Sequence, residues 1–187
     1  MRSKSSLLLW LFLFALLLLP FANAEAEKKI ELIGRETLNF TLPSTHNRLI
    51  NYADEYYGKY HLIITFFPAA FTPVWTGEME GHQRNLYLYE RFNARVLGVS
   101  RDDVTTLKYW GDGLGITFPL LSNITAFLGV SFDIQPEGKP IFGRRTVVID
   151  KKGVIRYVRD GSPNFKDILL FLKKLNQEGG IPWKEKG

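Results

Sequence analysis

The stretch from His61 to Glu80, HLIITFFPAAFTPVWTGEME, constrains this chain more than any other. His61 to Phe67 is a nearly continuous apolar run rich in branched and aromatic residues, the pattern of a strand covered on both faces. The following PAAFTP imposes a tight turn, because each proline fixes φ and withholds an N–H. A helix then opens near Pro73 or Val74, since proline is favoured at a first helical position whose N–H would have no acceptor anyway. Such a turn aims free helix N–H groups, and the positive end of the helix dipole, at a side chain in the first turn. A thiol placed there would have its pKa lowered and would become a nucleophile near neutrality. The residue there is Trp75.

The chain has 187 residues and no cysteine. Disulfides, thiolate metal sites and thiol redox chemistry are therefore excluded for the sequence as written. His46, His61 and His82 are far apart and form no ligand pair, so no metal is expected. The size suits one domain with a real core. The formal charge is +5. Arg2 and Lys4 lie in a removable-looking leader, and without them 22 basic residues stand against 19 acidic ones, or +3. That excess is mild and scattered, with only short clusters such as Arg144-Arg145 and Lys151-Lys152, so no nucleic-acid footprint is expected.

Residues 1–24 combine a basic start, an apolar run from Leu7 to Leu19, a break at Pro20 and the small-residue sequence Ala22-Asn23-Ala24. This is the three-part pattern of a secretory signal peptide with cleavage after Ala24, and it places the mature protein outside the cytoplasm, in a periplasm or beyond the cell. The alternative is an uncleaved anchor, but the apolar run is short of the ~20 residues that span a bilayer. Residues 25–187 are expected to form the single domain.

Within that domain, Leu38, Phe40 and Leu42 alternate with polar residues as a half-buried strand ended by Pro43. Asn51 to Tyr60 holds one short helical turn before the strand at His61. Met79, Leu86, Tyr89 and Phe92 recur at helical spacing and predict a helix from Val74 to Phe92. Arg95 to Ser100 reads as another buried strand. Asp102 or Asp103 caps the next helix, which faces inward through Val104, Leu107, Trp110 and Leu114. Ile116 to Asn123 is extended, and Ser122 or Asn123 starts a brief helix that Gly129 closes. TVVID and VIRYV flank Lys151-Lys152-Gly153 as a hairpin, and Asn164 caps a final helix from Phe165 to Gln177. The pattern is α/β, with a mixed central sheet and helices on both faces.

These segments resemble one family in order and spacing: NFTLP, FFPAAFTPVWTGEM, VLGVSRDD, ITFPLLSN and RRTVVIDKKGVIRYV. The chain is similar to the peroxiredoxins, the alkyl hydroperoxide reductase and thiol-specific antioxidant type, over nearly all of Glu31 to Leu175. The resemblance implies a thioredoxin-like fold, a hydroperoxide substrate, no cofactor, an external reductant, and a homodimer among the assemblies open to it. The family's site pattern is Pro-x-x-x-Thr-x-x-Cys, and Pro68, Thr72 and Trp75 occupy its fixed positions. In relatives the proline shields the cysteine, the threonine hydroxyl hydrogen-bonds thiolate and peroxide, and an arginine stabilises the thiolate. That arginine maps to Arg144, with Arg145 the near alternative, and Glu78 matches the position that orients it.

The departure falls on the reacting atom. Indole has an N–H donor, no accessible lone pair and no proton that ionises near neutrality, so Trp75 cannot attack a peroxide. As written, the chain reads as an exported peroxiredoxin-fold protein without peroxide chemistry, acting in binding or as a scaffold. One alternative is an active peroxide reductase in which position 75 is selenocysteine, its UGA codon rendered as tryptophan. A second is a small-molecule or anion-binding module in which Trp75 and Arg144 form the pocket.

Overall fold

The computed structural model describes residues 32–135 and 139–178, so the expected signal peptide and the start of the mature chain lie outside the described residues. Among the described residues, seven strands and five helices follow in chain order. They are β1 (Thr41–Pro43), β2 (Leu49–Asn51), α1 (Tyr52–Glu55), β3 (His61–Phe66), α2 (Pro73–Arg91) and β4 (Ala94–Ser100). Then come α3 (Val104–Gly113), β5 (Leu120–Ser122), α4 (Phe127–Ser131), β6 (Arg145–Ile149), β7 (Ile155–Asp160) and α5 (Phe165–Glu178). The main sheet has the order β5-β4-β3-β6-β7, parallel from β3 to β5 and antiparallel from β3 through β6 to β7. It is mixed, as the sequence predicts, and β3 lies at its centre.

Every residue of β3 is buried, and the period of two along a strand divides them between two cores. Leu62, Ile64 and Phe66 join one cluster, with Leu97 and Val99 of β4 and Val147 and Ile149 of β6. Ile63 and Phe67 join the other, with Val96 and Val148. The first face is closed by the β1–β2 ribbon, Tyr52 of α1, Leu128 of α4, Phe132 and Phe142. The second is closed by α2 through Met79 and Tyr89, α3 through Leu107 and Trp110, and α5 through Ile168 and Leu172. Full burial of such side chains stabilises by about 1.5–3 kcal/mol each, so the strand carrying the site loop is firmly held in the core.

Close approach of α2 and α5 depends on Gly81. A Cβ there would stand 2.2 Å from Phe165 Cζ. Gly81→Ala gains at most about 1 kcal/mol of helix propensity. Overpacking against a buried ring costs about 1–3 kcal/mol, so the substitution should lower stability. A urea midpoint at or above that of the wild type would show that the two helices separate freely.

Two expectations need correction. Leu38 is 57% exposed and precedes β1, because only Phe40 and Leu42 reach the core. The brief helix after β5 starts at Phe127, after Ala126 in a left-handed conformation, and runs through Gly129. Gly129 is thus no terminator: its missing Cβ makes room for Phe142, whose Cε1 would be 2.2 Å away. Asn123 still serves this helix, accepting the Leu128 and Gly129 N–H groups through Oδ1 at 3.1 and 3.3 Å. The strand β2, for which the sequence carried no expectation, pairs antiparallel with β1. Among the described residues, no helix is long and apolar enough to cross a membrane.

Candidate functional site

The site forms where the central strand ends. Phe67 still donates its N–H to the Val99 carbonyl at 3.1 Å, after which Pro68 turns the chain out of the sheet. Phe71 has φ +59°, an uncommon conformation for a bulky side chain. Thr72 is the extended N-cap of α2 and Pro73 its first residue, and Thr76 N–H closes the first helical bond on the Thr72 carbonyl at 3.1 Å. The N–H groups of Val74 and Trp75 therefore have no intrahelical acceptor, and the first turn holds no acidic side chain. The Thr72 side chain makes no cap bond, and its Oγ1 is buried without a partner. The helix end is thus left electropositive, as expected from sequence.

Trp75 occupies the third position of the first turn and is half-buried against the core on the α2 side of the sheet. Arg144, just before β6, lies over its ring with Cζ 4.4 Å from the centroid. The same guanidinium donates through Nη2 to Glu78 Oε1 and to Ser162 Oγ. Glu78 is 8% exposed, one helical turn after Trp75. Burial pushes the Arg144 pKa down from its ordinary value. That is the expected sign when a cation loses water, and it makes the carboxylate and the indole face its compensating partners. The Arg144 Nε is buried without an acceptor.

The structure separates the two candidate arginines. Arg145 is 8% exposed and donates to Asp160 Oδ1 at 2.6 Å and to the Phe132 carbonyl at 2.6 Å. Its partners lie at β7 and after α4, and Arg144 alone meets Trp75. Trp75, Thr72, Glu78 and Arg144 therefore gather at the start of α2, with Pro68 on the loop leading in. Ser162 was not singled out from sequence, and nothing local marks it: a Gly-Ser-Pro turn after β7 reads only as a loop. A cleft of about 620 Å³ opens beside this cluster, lined by Phe71, Thr72, Thr76, Tyr109, Trp110 and Leu114. Among the described residues, no group of three His, Asp or Glu side chains could hold a metal ion.

Removing Glu78 tests the pairing. Its side chain and that of Arg144 are 10% and 26% exposed, so the pair is screened less than a surface bridge but is not fully buried. Glu78→Ala is expected to cost about 1–3 kcal/mol, the range for leaving a charged partner short of its acceptor. A double-mutant cycle in urea with Arg144→Ala, read at the urea midpoint, should show coupling of similar size. Strict additivity would mean that the two side chains do not interact.

Comparison with known proteins places this arrangement. The profile of the AhpC/TSA family matches residues 33–158. The chain is 31% identical over 133 residues to alkyl hydroperoxide reductase E of Mycobacterium bovis, covering 70% of this chain and 86% of that one. It is 31% identical over 145 residues to the chloroplastic 2-Cys peroxiredoxin BAS1 of Hordeum vulgare, covering 73% and 69%. Among solved structures, Enterococcus faecalis AhpC superposes with a TM-score of 0.73 at 21% identity, over 83% of this chain and 98% of that one. Xylella fastidiosa PrxQ does so with 0.68 at 27%, over 79% and 96%. A sheet, loop and helix of this kind under a peroxiredoxin profile define the class: the chain belongs to the AhpC/TSA, or peroxiredoxin, family and has its thioredoxin-like fold. Within that family it carries Trp75 and no cysteine.

Proposed function

We propose that this protein is an exported peroxiredoxin-fold protein that does not reduce peroxides and serves instead in binding or as a scaffold. The observation that carries the reading is the Trp75 ring beneath Arg144 at 4.4 Å. The guanidinium that would steady negative charge on a sulfur and on a departing oxygen is engaged by an indole face and by Glu78. Peroxide reduction needs a lone pair to attack the O–O bond, and no atom of indole supplies one near neutrality. Export rests on the leader pattern in residues 1–24, with cleavage after Ala24. The test incubates the recombinant full chain with hydrogen peroxide or cumene hydroperoxide and dithiothreitol. Consumption equal to a no-protein control is expected, and turnover above it rejects the reading.

Two buried groups favour a second reading. Thr72 Oγ1 and Arg144 Nε have no partner, and both could serve an anion at position 75. A selenolate there would take an oxygen from the peroxide as a selenenic acid, releasing an alkoxide that is protonated to the alcohol. Two equivalents of an external thiol would then return the selenolate with loss of water. The mass of the tryptic peptide spanning residue 75, from protein made by its own cell, separates the readings. A tryptophan mass removes selenocysteine.

A further inference from the structure

The helix after β4 begins with two adjacent carboxylates, and they perform different tasks. Asp103 is the cap: its Oδ1 accepts the N–H groups of Thr105 and Thr106 at 2.9 Å each. Asp102 faces the other way. Its Oδ2 accepts the Ala70 N–H, in the middle of the site loop, at 2.8 Å. Among the described residues, no other side chain hydrogen-bonds the backbone of Pro68 to Phe71. Asp102 is itself held from three sides: Oδ2 accepts the Ser100 hydroxyl at 2.9 Å, its N–H donates to Ser100 Oγ at 3.1 Å, and its carbonyl accepts the Ser122 hydroxyl at 2.7 Å. Ser100 and Ser122 end β4 and β5, and both are buried. A rigid route therefore runs from the sheet, through one carboxylate, to the peptide that precedes Phe71 and Thr72.

We infer that Asp102 is the positioning residue of the site loop: it holds Ala70 so that Phe71 stays in its left-handed conformation and Thr72 and Trp75 enter α2 in the observed orientation. Two observations support a cost that needs such a hold. Phe71 at φ +59° is strained, and residues kept in sparsely populated backbone regions persist only where their surroundings fix them. The Phe71 ring alone offers weak restraint, being 58% exposed, with Tyr109 and Trp110 at centroid distances of 6.2 and 6.5 Å. A hydrogen bond to an ionised carboxylate is about twice as strong as one between neutral groups. The inference goes beyond the proposed function, because it concerns how the loop is held whether or not position 75 reacts.

The test compares the full-length wild type with Asp102→Ala, Asp102→Asn and Asp103→Ala by amide NMR and hydrogen exchange, with urea midpoints alongside. Asp102→Ala should move the Ala70 amide upfield, speed its exchange about tenfold or more, and shift the Trp75 indole N–H resonance. Asp102→Asn, which keeps the shape and an acceptor oxygen, should move the Ala70 amide less and restore most of the Trp75 signal. Asp103→Ala should weaken the helix and leave Ala70 and Trp75 in place. Unchanged Ala70 and Trp75 resonances in Asp102→Ala overturn the inference; if that variant does not fold, an unchanged Ala70 amide in Asp102→Asn does so. Peroxide assays play no part, so failure of the functional reading would leave this result standing.

Discussion

Trp75→Cys is expected to give this chain peroxide reductase activity. The cysteine Cβ would occupy the same position in the first turn of α2, where the Val74 N–H and the N–H of residue 75 lack intrahelical acceptors and the helix dipole favours an anion. Deleting the indole releases the face of Arg144, whose Nε has no other acceptor, and leaves the Thr72 hydroxyl free to donate. The thiolate would attack the O–O bond, form a sulfenic acid and expel an alkoxide, and an external dithiol would reduce the sulfenic acid with release of water. Preorganised donors of this kind are worth ~10²–10³ in rate each, so consumption should exceed that of a free thiol by roughly a hundredfold or more. Thr72→Val in the same background should remove a comparable factor. The cost is local stability, because a half-buried aromatic is lost: about 1–3 kcal/mol, below the 3–5 for a fully buried one. A folded Trp75→Cys protein with no activity above free thiol would mean that the supporting groups are set for the indole and not for sulfur.

Acid should destabilise the protein well above the pH at which carboxylates protonate. His82 is fully buried on α2, among Phe118, Phe165 and Tyr89, with Nε2 unpartnered and Nδ1 3.3 Å from the Tyr89 hydroxyl. Burial pushes its pKa down to about 3. His61, at the start of β3, is lowered to about 4, first by burial and then by the nearby Lys151 cation. Both folded-state values lie below the unfolded value near 6.5, so between them the unfolded chain binds more protons. Stability is therefore complete above about pH 6.5 and falls as pH drops through the window towards 4 and 3. At about 1.4 kcal/mol per pKa unit, the two together amount to several kcal/mol across that window. Urea midpoints should hold from pH 7.5 to about 6.5 and decline from there to pH 4.5, and His82→Leu should flatten the decline. A flat profile in the wild type would show that both imidazoles reach water.

Much of this was legible in the sequence. The β3 run, the Pro-rich turn and the start of α2 appear within one residue of their expected bounds, because apolar continuity and proline chemistry are local signals. The hairpin came through for the same reason: Gly153, at φ +83°, marks its turn. Asn164 caps α5 as expected, accepting the Asp167 N–H at 3.2 Å. What stayed hidden is tertiary. Asp102 and Asp103 are indistinguishable as helix caps until the fold brings Ala70 beside one of them. Arg144 and Arg145 differ by one position, and strand alternation sends them to different partners, a fact that needs the sheet register. His82 reads as an ordinary polar residue of an amphipathic helix, and only tertiary packing, by Phe165 of α5 and by Phe118, buries it. Gly129 looks like a helix stop because a glycine that admits a distant ring has the same local signature as one that ends a helix.

In the proposed reading, tryptophan at position 75 has removed peroxide chemistry from an otherwise furnished site. The most direct measurement takes the protein from its own cell, establishes residue 75 by peptide mass, and follows hydrogen peroxide in the presence of a dithiol. A tryptophan mass and a rate equal to the no-protein control are expected. Steady peroxide consumption by protein carrying that mass would contradict that reading.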